Sequence, residues 1–162
     1  MTRSLFSALL ILLTGFYVQG QSHTNENPAK MQWFKDAKLG IFIHWGIYSV
    51  NGVDESWSFH NKKMSYADYM KQLNGFTAKN YNPGAWAQLI KESGARYAVI
   101  TTKHHDGIAL WDTKANNMST AKLTPARKDV ITPFFTALRD AGLKTGAYFF
   151  IYSTASCSDT MA

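Results

Sequence analysis

The clearest fold signal in this chain is the run Arg96-Tyr-Ala-Val-Ile-Thr-Thr-Lys103, which leads directly into His104-His-Asp-Gly107. The run is apolar without alternation and ends in polar residues, as expected for a parallel strand that is buried on both faces. Two further runs have the same character, namely Leu39-Gly-Ile-Phe-Ile-His-Trp-Gly46 and Lys144-Thr-Gly-Ala-Tyr-Phe-Phe-Ile-Tyr152. The sequence therefore predicts three buried parallel strands.

Helical patterns fill the gaps between these runs. Asn82-Pro83 is typical of an N-cap followed by proline at the first helical position, and Gly94 is a suitable end for that helix. In the insertion after the first strand, Ser65 and Asp68 resemble a capping box and predict a shorter helix. A further helix is predicted to close at Gly142, with an apolar stripe formed by Phe134, Phe135, Leu138 and Ala141. The order of elements is βαβαβ.

Two α/β folds share this order of elements. A doubly wound dinucleotide-binding fold would carry G-x-G-x-x-G after its first strand, and that motif is absent from the sequence. A (β/α)₈ barrel places functional side chains at the carboxyl ends of its strands, where His44, His104 and His105 are found. A complete barrel takes about 250 residues. The sequence therefore predicts a partial (β/α)₈ barrel that contains only the first three βα units.

Composition and charge exclude several classes of protein. With 46% hydrophobic and 17% charged residues, the chain is globular rather than disordered. The formal charge of +6 comes from scattered lysines and arginines, so a solvated basic surface is expected and no nucleic-acid partner. Cys157 is the single cysteine, which rules out an internal disulfide.

The first twenty residues have the pattern of a signal peptide. Arg3 supplies the positive region, Leu5 to Leu13 are apolar, and Val18-Gln19-Gly20 offers small residues before Gln21. The alternative is a membrane anchor, but the apolar run is short for about 30 Å of hydrocarbon. We therefore expect residues 1–20 to direct export to a periplasmic, extracellular or lysosomal-type compartment, without stable membrane insertion. Residues 21–162 would then remain after cleavage.

Histidines at strand ends are suited to binding a sugar. One imidazole nitrogen donates and the other accepts, which matches a hydroxyl group that does both. The alternative for one of the three histidines is a supporting role behind the site. Two histidines and a carboxylate can also form a metal triad, but directly adjacent ligands such as His104 and His105 are poorly spaced for one ion. A serine hydrolase is not indicated, because G-x-S-x-G is absent. No metal and no cofactor are expected.

Two longer stretches resemble the signatures that open the catalytic domain of α-L-fucosidases of glycoside hydrolase family 29. They are Lys38-Leu-Gly-Ile-Phe-Ile-His-Trp-Gly-Ile-Tyr-Ser49 and Tyr97-Ala-Val-Ile-Thr-Thr-Lys-His-His-Asp-Gly-Ile-Ala-Leu-Trp-Asp112. Tyr81-Asn-Pro-Gly-Ala-Trp86 and Gly142-Leu-Lys-Thr-Gly-Ala-Tyr148 are similar to the first barrel helix and the third strand of that family. The resemblance covers residues 33–152. It implies that residues 21–162 are the N-terminal portion of a (β/α)₈ catalytic domain, truncated here, that releases terminal α-L-fucose from glycans with retention of configuration.

The resemblance also assigns sugar-binding residues. It implies that His44, His104 and His105 bind hydroxyl groups, that Trp57 contacts the sugar near its C6 methyl group, and that Tyr148 lines the same pocket. Many members of the family have Glu immediately before this tryptophan. Here Ser56 holds that position and Glu55 precedes it. Glu55 is therefore carried over with a shift of one position, and an exposed loop carboxylate is the alternative.

No catalytic residue is expected in this chain. The resemblance places the nucleophilic aspartate at the end of a fourth strand and the acid/base glutamate later still, both beyond Ala162. Residues 153–162 do not continue the family pattern, which indicates a truncated fucosidase that is inactive alone. The alternative is a non-catalytic remnant that binds fucose.

Overall fold

The structure, a computed structural model, describes residues 28–151 and shows an α/β fold around a small parallel sheet. Its strands are β1 (Gly40–Ile43), β2 (Tyr97–Lys103) and β3 (Lys144–Phe149). They pair in parallel in the order β1-β2-β3, which confirms the three parallel strands predicted from the apolar runs. The predicted signal peptide, Cys157 and the tail at 153–162 lie outside the described residues.

Six α-helical segments accompany the sheet within the described residues. They are α1 (Pro28–Ala37), α2 (Trp57–His60), α3 (Tyr66–Met70), α4 (Pro83–Glu92), α5 (Thr120–Leu123) and α6 (Ile131–Asp140). Two 3₁₀ turns, Ile47–Ser49 and Lys71–Gly75, lie between β1 and α4. No helix among residues 28–151 has the length and apolar character needed to cross a membrane.

The helix boundaries follow local chemistry. At the start of α4, Asn82 Oδ1 accepts a hydrogen bond from Ala85 N at 3.0 Å, as its N-cap position predicts. Asp129 does the same for α6, since its Oδ1 accepts from Ile131 N at 2.8 Å. Gly142, which follows α6, has φ +79°, a conformation that is costly for a residue with a Cβ.

Helices α4 and α6 lie on one face of the sheet. Helix α6 packs against α4 and against strands β2 and β3. The residues that form this part of the core are Ile90, Ala98, Ile100, Phe134 and Leu138. On the other face, Phe42 lies 5.9 Å from Tyr148 between ring centroids and is half exposed. The uncovered face therefore carries the strand-end aromatic residues.

Strand β1 ends earlier than its apolar run. After Ile43 the chain turns. The backbone N and O of Trp45 then hydrogen-bond with the side chain of Thr101 on β2 instead of with backbone atoms of that strand. Trp45 N donates to Thr101 Oγ1 at 2.9 Å, and Thr101 Oγ1 donates to Trp45 O at 2.6 Å. These two hydrogen bonds hold the end of β1 against β2. His44 is thereby left at the carboxyl edge of the sheet.

Candidate functional site

Four of the residues predicted to bind sugar meet at the carboxyl edge of the sheet. His44 follows β1, His104 and His105 follow β2, and Tyr148 lies near the end of β3. The ring centroids of His44 and His104 are 4.9 Å apart, and those of His104 and His105 are also 4.9 Å apart. Tyr148 stacks on His104 at 5.6 Å with an interplanar angle of 22°. His104 is therefore at the centre of this group.

The loop after β1 brings a carboxylate to the same place. Glu55 Oε2 accepts a hydrogen bond from Ser56 Oγ at 2.7 Å and another from Trp57 N at 3.1 Å. Ser56 Oγ in turn lies 2.8 Å from His104 Nδ1. Glu55 is therefore held beside His104, despite its shift of one position from the family pattern. The alternative of an exposed loop carboxylate does not describe its position, because both Glu55 and His104 have largely buried side chains.

An open groove of about 510 Å³ lies beside these residues. Its lining consists of His44, Tyr48, Val53, Asp54, Glu55, Trp57 and Asn61. Trp57 is 54% exposed, so much of its ring is available to a ligand. His104 lies next to two lining residues of this groove, with ring-centroid distances of 4.9 Å to His44 and 6.5 Å to Tyr48. The ring of His105 packs against Phe150 with a centroid distance of 3.5 Å.

Burial keeps the central histidines neutral. It lowers the pKa of His104 to about 4, although the negative charge of Glu55 acts in the opposite direction. Burial also lowers the pKa of His105. At neutral pH each ring therefore has one donor nitrogen and one acceptor nitrogen, which is the pairing that a hydroxyl group can match.

A model of the α-L-fucosidase family matches residues 15–159 of the 162 residues in the chain. The chain belongs to the α-L-fucosidase family. This confirms the resemblance found in the strand-end motifs, and the members of this family are glycoside hydrolases. The matched range begins before and ends after the residues 33–152 over which the motifs were found.

Individual fucosidases agree with the family match. The tissue α-L-fucosidase of Bos taurus is 34% identical over 131 residues, which make up 72% of this chain and 28% of that protein. The structure of α-L-fucosidase isoenzyme 1 from Paenibacillus thiaminolyticus has a TM-score of 0.72 and 40% identity, and the match covers 76% of this chain and 29% of that one. The Thermotoga maritima α-fucosidase in complex with a mechanism-based inhibitor has a TM-score of 0.65 and 36% identity, with 76% and 35% covered. The chain thus spans about a third or less of the length of these fucosidases.

Two residues that support the candidate site were given no role in it by sequence reasoning. Asp106 is 3% exposed, and its carboxylate accepts from Tyr69 OH at 2.9 Å and from Ile108 N at 2.9 Å. Burial raises the pKa of Asp106. Because its hydrogen bonds go to Tyr69 and Ile108, this residue fastens the turn after His105 to α3 rather than facing the groove. Ser56 is the second of these residues. The signal that could have found it is its position directly before Trp57, where many family members have Glu.

The same candidate site contains the residues of a possible metal triad. Ligand atoms of His44, Glu55 and His104 all lie within 4.8 Å of one another. His104 Nδ1 is bonded to Ser56 Oγ, so a metal ion at this nitrogen would have to displace that bond. The absence of a metal requirement stays a prediction.

Proposed function

We propose that this chain supplies the fucose-binding part of the active site of a retaining α-L-fucosidase. The observation that carries the proposal is the meeting of His44, His104 and Glu55 beside a groove that also exposes the ring of Trp57. Terminal α-L-fucose on a glycan is the substrate class, in keeping with the family to which the chain belongs.

Each part of the site has a role in holding the sugar. The imidazoles of His44, His104 and His105 bind hydroxyl groups, and Tyr148 orients His104 by stacking on it. Glu55 is a strong hydrogen-bond acceptor for a further hydroxyl group. The exposed ring of Trp57 offers an apolar surface for the C6 methyl group of fucose.

The proposed scaffold is a (β/α)₈ barrel of which residues 28–151 form the first three βα units. Support comes from the parallel order β1-β2-β3 and from the histidines at the carboxyl ends of β1 and β2. The likeness to the Paenibacillus fucosidase over 76% of this chain supports the same arrangement. Export through a signal peptide at residues 1–20 belongs to this proposal as well.

The isolated chain is proposed not to hydrolyse α-L-fucosides. A retaining glycosidase needs two carboxyl groups about 5–5.5 Å apart. Among the described residues, Asp54 and Glu55 line the groove, but Asp54 is exposed and paired with Lys63 at 2.6 Å. Asp106 is buried among its own hydrogen bonds. Glu55 is thus the one groove carboxylate that touches the histidines.

A chimaera tests this function. Residues 28–151 would replace the corresponding segment of the Paenibacillus α-L-fucosidase, which supplies the remainder of that enzyme. The folded chimaera should hydrolyse an aryl α-L-fucoside in the presence of a chelator, and the 162-residue chain alone should not. His104→Ala in the chimaera should lower kcat/KM roughly ten- to hundredfold, because a buried hydrogen bond to the substrate is lost.

Three results would contradict the proposal. They are a folded chimaera without fucosidase activity, a His104→Ala chimaera with full activity, and turnover by the isolated chain. The last result would make Glu55 a candidate catalytic residue, and Glu55→Gln in the isolated chain would test it.

A further inference from the structure

The hydroxyl group of Ser56 has two close partners and only one proton. Its Oγ lies 2.7 Å from Glu55 Oε2 and 2.8 Å from His104 Nδ1. An ionised carboxylate only accepts hydrogen bonds, so the serine proton must point at Glu55. Ser56 Oγ then faces the imidazole with a lone pair. The proton of the second bond must therefore come from His104 Nδ1.

We propose that Ser56 is a positioning residue that fixes His104 as the tautomer with its proton on Nδ1. The bonds then run in one direction, from His104 Nδ1 to Ser56 Oγ and from Ser56 Oγ to Glu55 Oε2. His104 Nε2 is left with a lone pair and acts as an acceptor only. If the proposed fucose site is correct, on which this consequence rests, the sugar hydroxyl at His104 Nε2 must donate the hydrogen bond.

Glu55 cannot impose this tautomer without the serine. The distance from Glu55 Oε2 to His104 Nδ1 is 3.6 Å, which is too long for a hydrogen bond. The same oxygen also accepts from Trp57 N at 3.1 Å, and this bond opposes a movement toward the histidine. Ser56 fills the gap, and its 4% exposure excludes water from competing for these bonds.

The arrangement also explains how Glu55 can orient His104 although it is shifted by one position from the family pattern. Ser56 occupies the position before Trp57, and it transmits the orienting effect of Glu55 to the imidazole. Ser56 Oγ contacts His104 at Nδ1. In the proposed fucose site, Nε2 is then the nitrogen of His104 that meets the sugar hydroxyl group.

Nitrogen NMR on the full 162-residue chain tests the tautomer directly. The chain would be labelled with ¹⁵N in its five histidine side chains, and His104 would be assigned by the signal lost in His104→Gln. At neutral pH, we expect Nδ1 of His104 to have the chemical shift of a protonated imidazole nitrogen and Nε2 that of an unprotonated one. The opposite assignment in the unsubstituted chain would overturn the proposal.

Three variants then separate positioning from simple packing. Ser56→Ala should shift His104 toward the tautomer with its proton on Nε2, and Ser56→Thr should restore the original spectrum because it keeps the hydroxyl group. Ser58→Ala is the matched control, since Ser58 is also buried but its Oγ donates to Asp54 O instead of meeting a histidine. An unchanged tautomer in Ser56→Ala would also overturn the proposal.

Kinetics of the chimaera give a second readout. Ser56→Ala should lower kcat/KM about tenfold through a misoriented acceptor, Ser56→Thr should recover most of it, and Ser58→Ala should leave it unchanged. Equal losses in Ser56→Ala and Ser56→Thr would count against positioning. The two proposals remain distinguishable, because the tautomer in the free chain does not depend on fucose. If His104 has the expected tautomer but its signals do not respond to added fucose, the fucose site is wrong and the role of Ser56 stands.

Discussion

In the proposed fucose site, the side chains around the groove divide between polar and apolar contacts to the sugar. His44, His104 and Glu55 offer hydrogen bonds at one end of the groove. Trp57 stands at the N-terminus of α2 and packs edge-on against His60 with a centroid distance of 5.1 Å. This contact supports one side of the indole, and the ring stays 54% exposed. Affinity for a deoxy sugar should therefore depend on both kinds of residue.

Replacing the groove tryptophan tests its apolar role. Trp57→Ala should weaken fucose binding and lower kcat/KM of the chimaera roughly tenfold, because the loss of an aromatic contact surface costs about 1–2 kcal/mol. Trp33→Ala is the matched control, since Trp33 is 41% exposed but packs against Phe34 and Tyr97 at the other end of the sheet. Inhibition of the chimaera by free fucose would measure the affinity. Equal effects of the two substitutions would show that Trp57 makes no specific contact.

Acid should destabilise the fold through His104. Its pKa is about 4 in the folded chain and about 6.5 when unfolded, so the unfolded state binds more protons between these values. The free energy of unfolding should therefore be highest above pH 6.5 and fall as the pH decreases toward 4. The charges that act on His104 come from Glu55, which raises its pKa, and from His44 and His105, which lower it.

Urea unfolding at several pH values would measure this effect, with His104→Gln as the reference protein. The variant should lose part of the decrease between pH 6.5 and pH 4. Asp106 has a raised pKa and acts with the opposite sign in both proteins, so the difference between them isolates His104. Identical pH profiles would mean that His104 does not titrate in this way.

At the scale of elements, the site depends on how β1 ends. Thr101 accepts from Trp45 N and donates to Trp45 O, and together these bonds replace one step of the strand ladder. Tyr48 OH lies 3.5 Å from the same Thr101 Oγ1, and burial raises the pKa of Tyr48. One threonine thus joins the strand end, the following 3₁₀ turn and β2.

Thr101→Val keeps the shape of the side chain and removes its hydroxyl group. It should lower the free energy of unfolding by about 1–3 kcal/mol, because Trp45 N and O lose their partner. Thr101→Ser retains both bonds and should be much closer to the unsubstituted chain. Urea unfolding compares the three proteins. If valine were tolerated as well as serine, solvent would have to satisfy the freed backbone groups of Trp45.

Most elements could be predicted from the sequence where the signal was local. The runs that became β2 and β3, the Asn82 cap of α4 and the turn at Gly142 all depend on neighbouring residues. Helix α1 was not predicted, because it follows a polar stretch without a clear apolar stripe. The short helices α2 and α5 have four residues each, too few for a periodic pattern.

The candidate site could be predicted in part, namely for those residues that have a local sequence signal. The histidines could be placed at strand ends from their position in the chain, and Tyr148 from the family resemblance. Ser56 could not, because its partner His104 lies 48 residues away and no periodicity connects them. The shortened end of β1 was missed likewise, since it depends on the side chain of Thr101 in another strand.

For the whole molecule, the open sheet is the feature with the largest consequence in solution. Within residues 28–151, no strand pairs with the outer edge of β1 or of β3. Large apolar side chains are exposed near these edges, among them Phe42, Phe149 and Ile151. In the proposed barrel, further strands would pair there. An exposed apolar edge favours association with other chains.

A single lysine at the β3 edge should improve the behaviour of the isolated chain. Ile151→Lys should raise the concentration at which the 162-residue chain remains monomeric, because a charge opposes edge-to-edge pairing. Leu89→Lys is the matched control, since Leu89 is 68% exposed on α4 and Ile151 is 73% exposed beyond β3. Light scattering over a concentration series would compare them. Equal improvement by both would assign the association to general hydrophobicity.

The pair of hydrogen bonds between Trp45 and Thr101 has a further consequence during synthesis of the chain. Its two residues are 56 positions apart, and His44 precedes His104 by 60. A ribosome that adds about 5–20 residues per second needs roughly 3–12 seconds to cover that interval. For those seconds the first strand has left the ribosome before the strand that will pair with it. The newborn β1 is then an apolar segment without its partner strand, and a chaperone that covers it during this interval would protect the chain from association.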